Sequence, residues 1–136
     1  MRETFIDTSG WVALKHKRDT FWQIATELHR SLLLDGAHYI TSNFVLDESY
    51  TLLRYRAGHH IAVELGEEIR ASQLVTVVPI SPEWEEEAWR MFRRYADKEL
   101  SFTDCTSFVV MRYRQILEAF TNDYHFVQVG YQRLLT

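Results

Sequence analysis

Residues 4–11 read Thr4-Phe5-Ile6-Asp7-Thr8-Ser9-Gly10-Trp11. A short strand-forming run ends at Asp7, and a helical pattern begins at Thr8. A similar arrangement follows near the other end of the chain, where Asp123 comes just after the run from Ile116 to Phe120. In parallel α/β sheets, functional sites lie outside the carboxyl ends of the strands. Asp7 and Asp123 are therefore expected at the edge of the sheet where such a site would lie.

Strand and helix patterns alternate along the whole sequence. Strands are predicted at 2–7, 38–41, 74–78, 116–120 and 131–135, with 74–78 expected to be a buried strand because it is rich in β-branched residues. Helices are predicted at 8–18, from 19 or 20 to 34, at 42–57, 59–72, from 81 onward, at 101–114, and briefly after 123. This alternation predicts right-handed βαβ crossovers and a mostly parallel sheet covered on both faces. No linker or repeat interrupts the pattern, so we expect one domain over residues 1–136.

Composition excludes several classes of protein. The 136 residues are 46 % hydrophobic and 25 % charged with a net charge of −4, which is ordinary for a globular protein and argues against a protein that coats nucleic acid by bulk attraction. The single cysteine, Cys105, rules out an internal disulfide. No stretch approaches the roughly 20 apolar residues that cross a bilayer, and the start does not resemble a signal peptide. We therefore expect a cytoplasmic protein with no membrane association.

Four carboxylates, Asp7, Glu48, Asp104 and Asp123, stand where an acid is costly. Two follow strands, and the other two share helix faces with apolar residues, so they are expected to point toward the core side. An unpaired buried carboxylate is strongly unfavourable. Bound divalent cations commonly neutralise such a cluster, and an all-oxygen set suits Mg²⁺ or Mn²⁺ better than Zn²⁺. The pattern indicates a metal site.

Each acid also has a purely structural interpretation. Asp7 and Asp123 could cap the helices that follow them. Asp104 completes a capping box with Ser101, and Glu48 could pair with Arg54 or with a neighbouring helix. Capping explains one acid at a time, however, and does not explain the glutamate in the middle of a helix. Neither a phosphate-binding glycine-rich loop nor a Gly-x-Ser-x-Gly elbow is present.

Four segments, in this order, carry a resemblance to a known family: Phe5-Ile6-Asp7-Thr8-Ser9-Gly10-Trp11, Thr41-Ser42-Asn43-Phe44-Val45-Leu46-Asp47-Glu48, Leu100-Ser101-Phe102-Thr103-Asp104-Cys105 and Phe120-Thr121-Asn122-Asp123-Tyr124-His125-Phe126. Over nearly its full length the chain resembles the PIN-domain ribonucleases, and within them the VapC-type toxins of prokaryotic toxin–antitoxin pairs. The resemblance implies a PIN-like three-layer α/β sandwich with a five-stranded parallel sheet in the order 3-2-1-4-5.

The resemblance also implies an activity and a set of site residues. The implied enzyme is a Mg²⁺- or Mn²⁺-dependent endoribonuclease in which Asp7, Glu48, Asp104 and Asp123 are the catalytic and metal-binding acids. Thr8 or Ser9, together with Thr121, fit the hydroxyl positions that orient these acids. We expect Asp7 and Asp104 to hold the main ion, with Glu48 and Asp123 completing its site or recruiting a second. Asp47, the neighbour of Glu48, is expected to face outward.

Partners and alternatives follow from the same resemblance. It implies tRNA, rRNA or mRNA as substrate, a homodimer, and a cognate VapB-type antitoxin that packs on the first helices, for which Trp11, Phe21 and Trp22 are predicted contacts. Basic residues at 15–18 and 54–60 are candidate phosphate contacts. Two alternatives remain open: a housekeeping RNA-processing PIN nuclease, and a non-catalytic PIN-like module that binds RNA or protein.

Overall fold

Five strands and seven helices alternate along residues 2–136, the part of the chain that the computed structural model describes. The strands are β1 (Glu3–Ile6), β2 (His38–Ser42), β3 (Val75–Val78), β4 (Glu118–Phe120) and β5 (Gln132–Arg133). The helices are α1 (Thr8–Lys15), α2 (Trp22–Leu34), α3 (Asn43–Arg56), α4 (His59–Ala71), α5 (Pro82–Arg94), α6 (Phe102–Arg114) and α7 (Tyr124–Gln128).

The strands form one parallel sheet in the order β3-β2-β1-β4-β5, which confirms the predicted topology. The central strand β1 pairs with β2 on one side and with β4 on the other. Its last residue, Ile6, is in register with Phe120, the last residue of β4. The segments that follow these two strands therefore leave the sheet side by side. Asp7 and the loop that carries Asp123 are brought together in this way.

The core is built on the three middle strands. Phe5, Ile6, Ile40 and Phe120 are completely buried. Helix α3 packs against α1, α4 and α6, and α5 packs against α6. The first turns of α3 and α6 meet, since the ring centroids of Phe44 and Phe102 lie 6.1 Å apart. None of the helices in residues 2–136 is both long and apolar enough to cross a membrane.

Gly10 allows α1 to lie close to the end of β4. A Cβ atom at this position would lie 2.4 Å from the carbonyl oxygen of Phe120 and 2.8 Å from its ring. Real contacts of that kind do not occur at such distances, so any side chain would push the helix away from the strand. The glycine thus fixes how near Asp7, at the start of α1, comes to the loop after β4.

Several element predictions differ from the structure. Strand β5 spans only Gln132–Arg133 rather than 131–135, and α2 begins at Trp22 rather than at 19 or 20. Three further differences have a local cause. The segment 74–78 is not a buried strand, because β3 lies at the edge of the sheet and all its residues are half-buried or exposed. Helix α1 ends at Lys15 rather than Arg18, since the carboxylate of Asp19 accepts a hydrogen bond from the Phe21 amide (2.8 Å) and begins a new turn there. Strand β4 starts at Glu118 rather than Ile116, because Gln115 takes a left-handed conformation that closes α6.

Candidate active site

The four predicted acids line one open cleft of about 580 Å³ at the carboxyl edge of the sheet. Asp7 follows β1, Asp123 lies in the loop after β4, Glu48 comes from the second turn of α3, and Asp104 from the first turn of α6. Four segments that are far apart in sequence thus deliver one carboxylate each to the same cavity. The convergence expected from the sequence is present in the structure.

Asp7 is the most deeply buried of the four, with 4 % of its surface exposed. It occupies the N-cap position of α1 but makes no side-chain capping bond there, so the capping interpretation fails for this residue. Instead, its Oδ2 accepts a hydrogen bond from the hydroxyl of Thr121 (3.0 Å). Burial, followed by the negative charge of Asp104, raises the pKa of Asp7 to about 7.

Asp104 both caps a helix and lines the cleft. Its side chain accepts a hydrogen bond from the Ser101 amide (3.1 Å), and its own amide donates to the Ser101 hydroxyl (2.9 Å), so the predicted capping box is present. Burial, and to a smaller extent the charges of Asp123 and Glu48, raises the pKa of Asp104 to about 6 against the lowering effect of the Ser101 hydrogen bonds. The cap and the cluster are therefore compatible roles of one side chain.

Asp123 is paired with a histidine that the sequence reasoning did not assign to the site. The Asp123 carboxylate caps α7 by accepting a hydrogen bond from the amide of His125 (2.9 Å), and the ring Nδ1 of His125 lies 3.0 Å from the same oxygen. Ligand atoms of Asp104, Asp123 and His125 all lie within 4.8 Å of one another. The signal was available, because His125 stands two residues after Asp123 in the segment already singled out.

Glu48 is half-buried and faces the cleft rather than the core. The predicted alternative, a pair with Arg54, is not formed, since the Arg54 guanidinium contacts Nδ1 of His59 instead (2.8 Å). Asp47, one residue earlier, is exposed and lies outside this cleft, as predicted. Among residues 2–136, none of the ion pairs brings a lysine or arginine to any of the four cleft acids.

A chain of hydroxyl groups holds Asp7 in place. The Thr121 hydroxyl has one proton, which goes to Asp7, so the neighbouring hydroxyl of Ser9 (3.0 Å) must donate to Thr121. The amide of Asn122 then donates to Ser9 (3.0 Å), and the amide of Asp123 donates to Thr121 (3.0 Å). Thr121 and Ser9 thereby connect the loops that carry Asp7 and Asp123. Thr8, the third predicted hydroxyl residue, also lines the cleft, but its hydroxyl donates to the carbonyl of Val45 (3.5 Å) rather than to one of the acids.

Two of the predicted basic contacts, Arg56 and Lys15, lie in different surroundings. Arg56 is exposed and lines the cleft of the acids. Lys15 is only 15 % exposed and is held by Glu64 and Glu68 of α4, at 2.5 and 2.7 Å. Lys15 is therefore a link between α1 and α4, and Arg56 is the cation placed to meet a bound anion.

Comparison with known proteins agrees with this geometry. Residues 4–131 match the PIN domain family. Two curated relatives, both named 23S rRNA-specific endonuclease VapC20, come from Mycobacterium tuberculosis strains CDC 1551 / Oshkosh and ATCC 25618 / H37Rv. Each is 39 % identical over 127 residues, which cover 93 % of this chain and 94 % of the relative.

A solved structure shows the same likeness in three dimensions. The crystal structure of Mycobacterium tuberculosis VapC20, described as a sarcin–ricin loop cleaving toxin, matches with a TM-score of 0.86 and 38 % identity. The match covers 94 % of this chain and 95 % of that one. The predicted resemblance and the predicted fold are thus confirmed. The chain belongs to the PIN domain family and is a VapC-type nuclease.

Proposed function

We propose that this chain is a divalent-metal-dependent endoribonuclease toxin in which Asp7, Glu48, Asp104 and Asp123 bind metal and carry out phosphodiester hydrolysis. The observation that carries the proposal is the convergence of these four acids in one cleft with no lysine or arginine paired to them among residues 2–136. A folded protein gains nothing in stability from such an arrangement, because like charges held together repel. The arrangement is useful if a cation binds there.

The donor set fits Mg²⁺ or Mn²⁺. Four carboxylates offer hard oxygen ligands. Burial raises the pKa of Asp7 and Asp104, so a bound cation would favour their charged forms and would be bound by them in turn. His125, which lies beside Asp123, adds one nitrogen ligand that Mn²⁺ accepts more readily than Mg²⁺ does. When bound, the ion would activate a water molecule and stabilise charge on the phosphate.

The protein side chains have distinct tasks in the proposed reaction. Thr121 and Ser9 fix the orientation of Asp7, and the capping box fixes that of Asp104. Arg56 neutralises a phosphate of the bound strand at the rim of the cleft. In-line attack by water would then leave a 5′-phosphate and a 3′-hydroxyl on the products.

We propose ribosomal RNA as the substrate class, supported by the two VapC20 relatives that are named for 23S rRNA. The structural relative is described as cleaving the sarcin–ricin loop. A loop is a reasonable target for this cleft, because a regular A-form helix hides its bases, whereas a loop can present them. Messenger and transfer RNA are the alternatives that the experiment below distinguishes.

The decisive experiment is cleavage of total cellular RNA and of isolated ribosomes by the purified protein with Mg²⁺ or Mn²⁺. Parallel reactions contain EDTA, the Asp7→Asn variant, and the Asp47→Asn variant as a matched control outside the cleft. One discrete cut in 23S rRNA that needs metal, is lost with Asp7→Asn and persists with Asp47→Asn is the expected result. Wild-type activity in Asp7→Asn would refute the site assignment, and no cleavage of any RNA by folded, metal-loaded protein would favour a binding module.

We propose further that a VapB-type antitoxin occupies an apolar groove next to α1. The groove lies between α2, α4 and the ends of β2 and β3, and Leu33 and Leu74 are exposed there. The predicted contact Trp11 is 5 % exposed and mainly belongs to the core, where its Nε1 donates to Thr41 (3.3 Å). Phe21 and Trp22 are half-buried.

Co-expression with the product of a neighbouring small gene tests this groove. Leu33→Asp should abolish co-purification, whereas Leu117→Asp, at an exposed leucine elsewhere, should not. Co-purification that survives Leu33→Asp and Leu74→Asp would exclude the groove, and the absence of any such partner would favour a housekeeping nuclease.

We also propose that residues 1–136 act as one PIN domain, that the protein is cytoplasmic, and that it is a homodimer. A molar mass of twice 16.2 kDa, measured by light scattering, would support the dimer.

A further inference from the structure

Tyr124 is an aromatic side chain at the mouth of the acid cleft. It directly follows Asp123, lines the same cavity, and keeps 57 % of its surface exposed. A tyrosine so exposed contributes little to the core, and the hydroxyl chain that orders this loop runs through Thr121 and Ser9 instead. Its ring is therefore available to a ligand that enters the cleft.

One face of the Tyr124 ring is held by Arg133 from β5. The guanidinium carbon of Arg133 lies 5.5 Å from the ring centroid, a cation–π distance. The same guanidinium donates through Nη1 to the carbonyl of Asn122 (3.1 Å), which fixes it against the loop that carries Asp123. Its Nε is buried without a hydrogen-bond partner among residues 2–136. Arg133 thus contacts both the loop that carries Asp123 and the ring of Tyr124, and it restricts the orientation of the ring.

We propose that Tyr124 is a positioning residue whose open ring face stacks on a nucleobase beside the scissile phosphate. A flat aromatic surface next to a phosphate-binding cleft is the arrangement with which proteins hold single-stranded RNA. A ring that Arg133 already holds in place loses less conformational entropy on binding than a free one. The positive charge of Arg133 forms none of the ion pairs found among residues 2–136, so it also favours the approach of the RNA backbone.

This inference rests on the proposed cleavage of RNA and adds the contact that selects an unpaired base. The four acids are the proposed metal ligands, and the hydroxyls of Ser9 and Thr121 orient Asp7, but none of these groups can recognise the shape of a base. Stacking on Tyr124 requires the neighbouring nucleotide to leave its own helix. The protein would accordingly prefer loops and distorted segments over continuous duplex.

The test uses a fluorescein-labelled RNA hairpin with the sarcin–ricin loop sequence and variants of the full chain. Binding is measured by anisotropy in the Asp7→Asn background, so that the RNA stays intact, and cleavage is measured in the native background. Tyr124→Phe retains the flat ring, Tyr124→Leu retains apolar volume without it, and Tyr124→Ala removes both. Tyr55→Ala is the matched control, because Tyr55 is 85 % exposed on α3 and does not line the cleft.

We expect Tyr124→Ala and Tyr124→Leu to weaken binding about tenfold and to raise KM by a similar factor, the usual effect of losing one base–aromatic stack. Tyr124→Phe and Tyr55→Ala should stay within about twofold of the parent. A 2-aminopurine base placed beside the cleavage site should be quenched on binding to the parent and to Tyr124→Phe, but not to Tyr124→Leu. Arg133→Gln should give an intermediate loss, because the ring would then be less restrained.

The outcomes separate this inference from the proposed reaction. Equal RNA affinity of the parent, Tyr124→Ala and Tyr124→Leu overturns the stacking contact while leaving cleavage intact. Binding that depends on Tyr124 without cleavage by the native protein overturns the proposed reaction alone. Failure of the native protein to bind the RNA overturns both. A loss that Tyr124→Phe shares with Tyr124→Ala assigns the role to the hydroxyl and also overturns stacking.

Discussion

Replacing Asp7 with asparagine should abolish cleavage and yet stabilise the metal-free protein. Asp7 is 4 % exposed, and burial together with the charge of Asp104 raises its pKa to about 7. A buried carboxyl group whose pKa is raised resists ionisation in the folded state. An asparagine side chain at this position would have nearly the same shape, and its oxygen could still accept the hydrogen bond from Thr121. The substitution therefore removes the charge while retaining the main contact.

The magnitude follows from the two pKa values. Between the ordinary value of 3.8 and about 7, the folded state binds a proton that the unfolded chain has released. At about 1.4 kcal/mol for each tenfold change in proton affinity, ionising Asp7 in the fold costs at most about 4 kcal/mol. The favourable contribution of the protonated acid is complete below pH 3.8 and is lost as the pH rises to about 7. Asp7→Asn should therefore gain little at pH 4 and up to about 4 kcal/mol at pH 8.

Urea unfolding of EDTA-treated protein, followed by circular dichroism between pH 4 and pH 8, measures this difference. Asp47→Asn is the matched control, because Asp47 is exposed and its replacement should change stability by less than about 0.5 kcal/mol. With millimolar Mg²⁺ or Mn²⁺ at pH 8 the order should reverse, since metal stabilises the parent through linkage and the variant has lost a ligand. A variant that is less stable than the parent at pH 8 without metal, or a difference that does not change with pH, would refute the reasoning.

Three further substitutions test how the site is held together. Gly10→Ala should lower the free energy of unfolding in urea by about 2 kcal/mol or more, because its Cβ would lie 2.4 Å from a β4 carbonyl oxygen. Gly66→Ala is the control and should be neutral or stabilising, since the nearest neighbour of its Cβ would lie at 3.6 Å. Equal effects of the two substitutions would contradict the close approach of α1. Thr121→Val should destabilise the protein by about 1–3 kcal/mol and move the acid limb of the pH–rate profile to higher pH, because the Thr121 hydrogen bond lowers the pKa of Asp7. Thr121→Ser should restore both, and a profile that does not move in Thr121→Val would remove the hydroxyl from the site. Arg56→Ala should raise KM with kcat within about twofold and reduce the salt slope of RNA binding by about 1, and an unchanged slope would exclude a phosphate contact.

The four acids illustrate why structural and functional interpretations of a residue need not compete. Asp104 and Asp123 form the caps that their sequence positions predicted, and they line the cleft as well. A cap uses only part of a carboxylate, whose two oxygens offer about four acceptor positions. Asp7 differs, because it occupies a cap position without capping and accepts its hydrogen bond from Thr121 instead. Local sequence cannot distinguish these cases, since the partner of Asp7 is 114 residues away.

Burial is the property that the sequence patterns predicted least well. The apolar run at 74–78 predicted a buried strand, but β3 is an edge strand with both exposed and half-buried residues. Glu48 was expected to be buried on the core side of its helix, and it is half-buried in the wall of the cleft. Lys15 was a candidate phosphate contact and is held by two glutamates of α4. In each case the local pattern gives the side of the strand or helix, whereas the environment depends on which element packs against that side.

The alternation of strands and helices, the order of the sheet through the family resemblance, and the identity of the four acids could all be predicted from the sequence. The alternation and the placement of the acids are local features, because periodicity, caps and residue types depend on neighbouring positions. The order of the sheet is not local, and only the family resemblance implied it. Three contacts required the folded chain: Thr121 holds Asp7, His125 joins Asp104 and Asp123, and Arg133 supports the ring of Tyr124. The first and last of these contacts join residues from different segments of the chain, and the second depends on how the loop after β4 meets α6. Such contacts exist only once the parallel sheet has set those segments side by side.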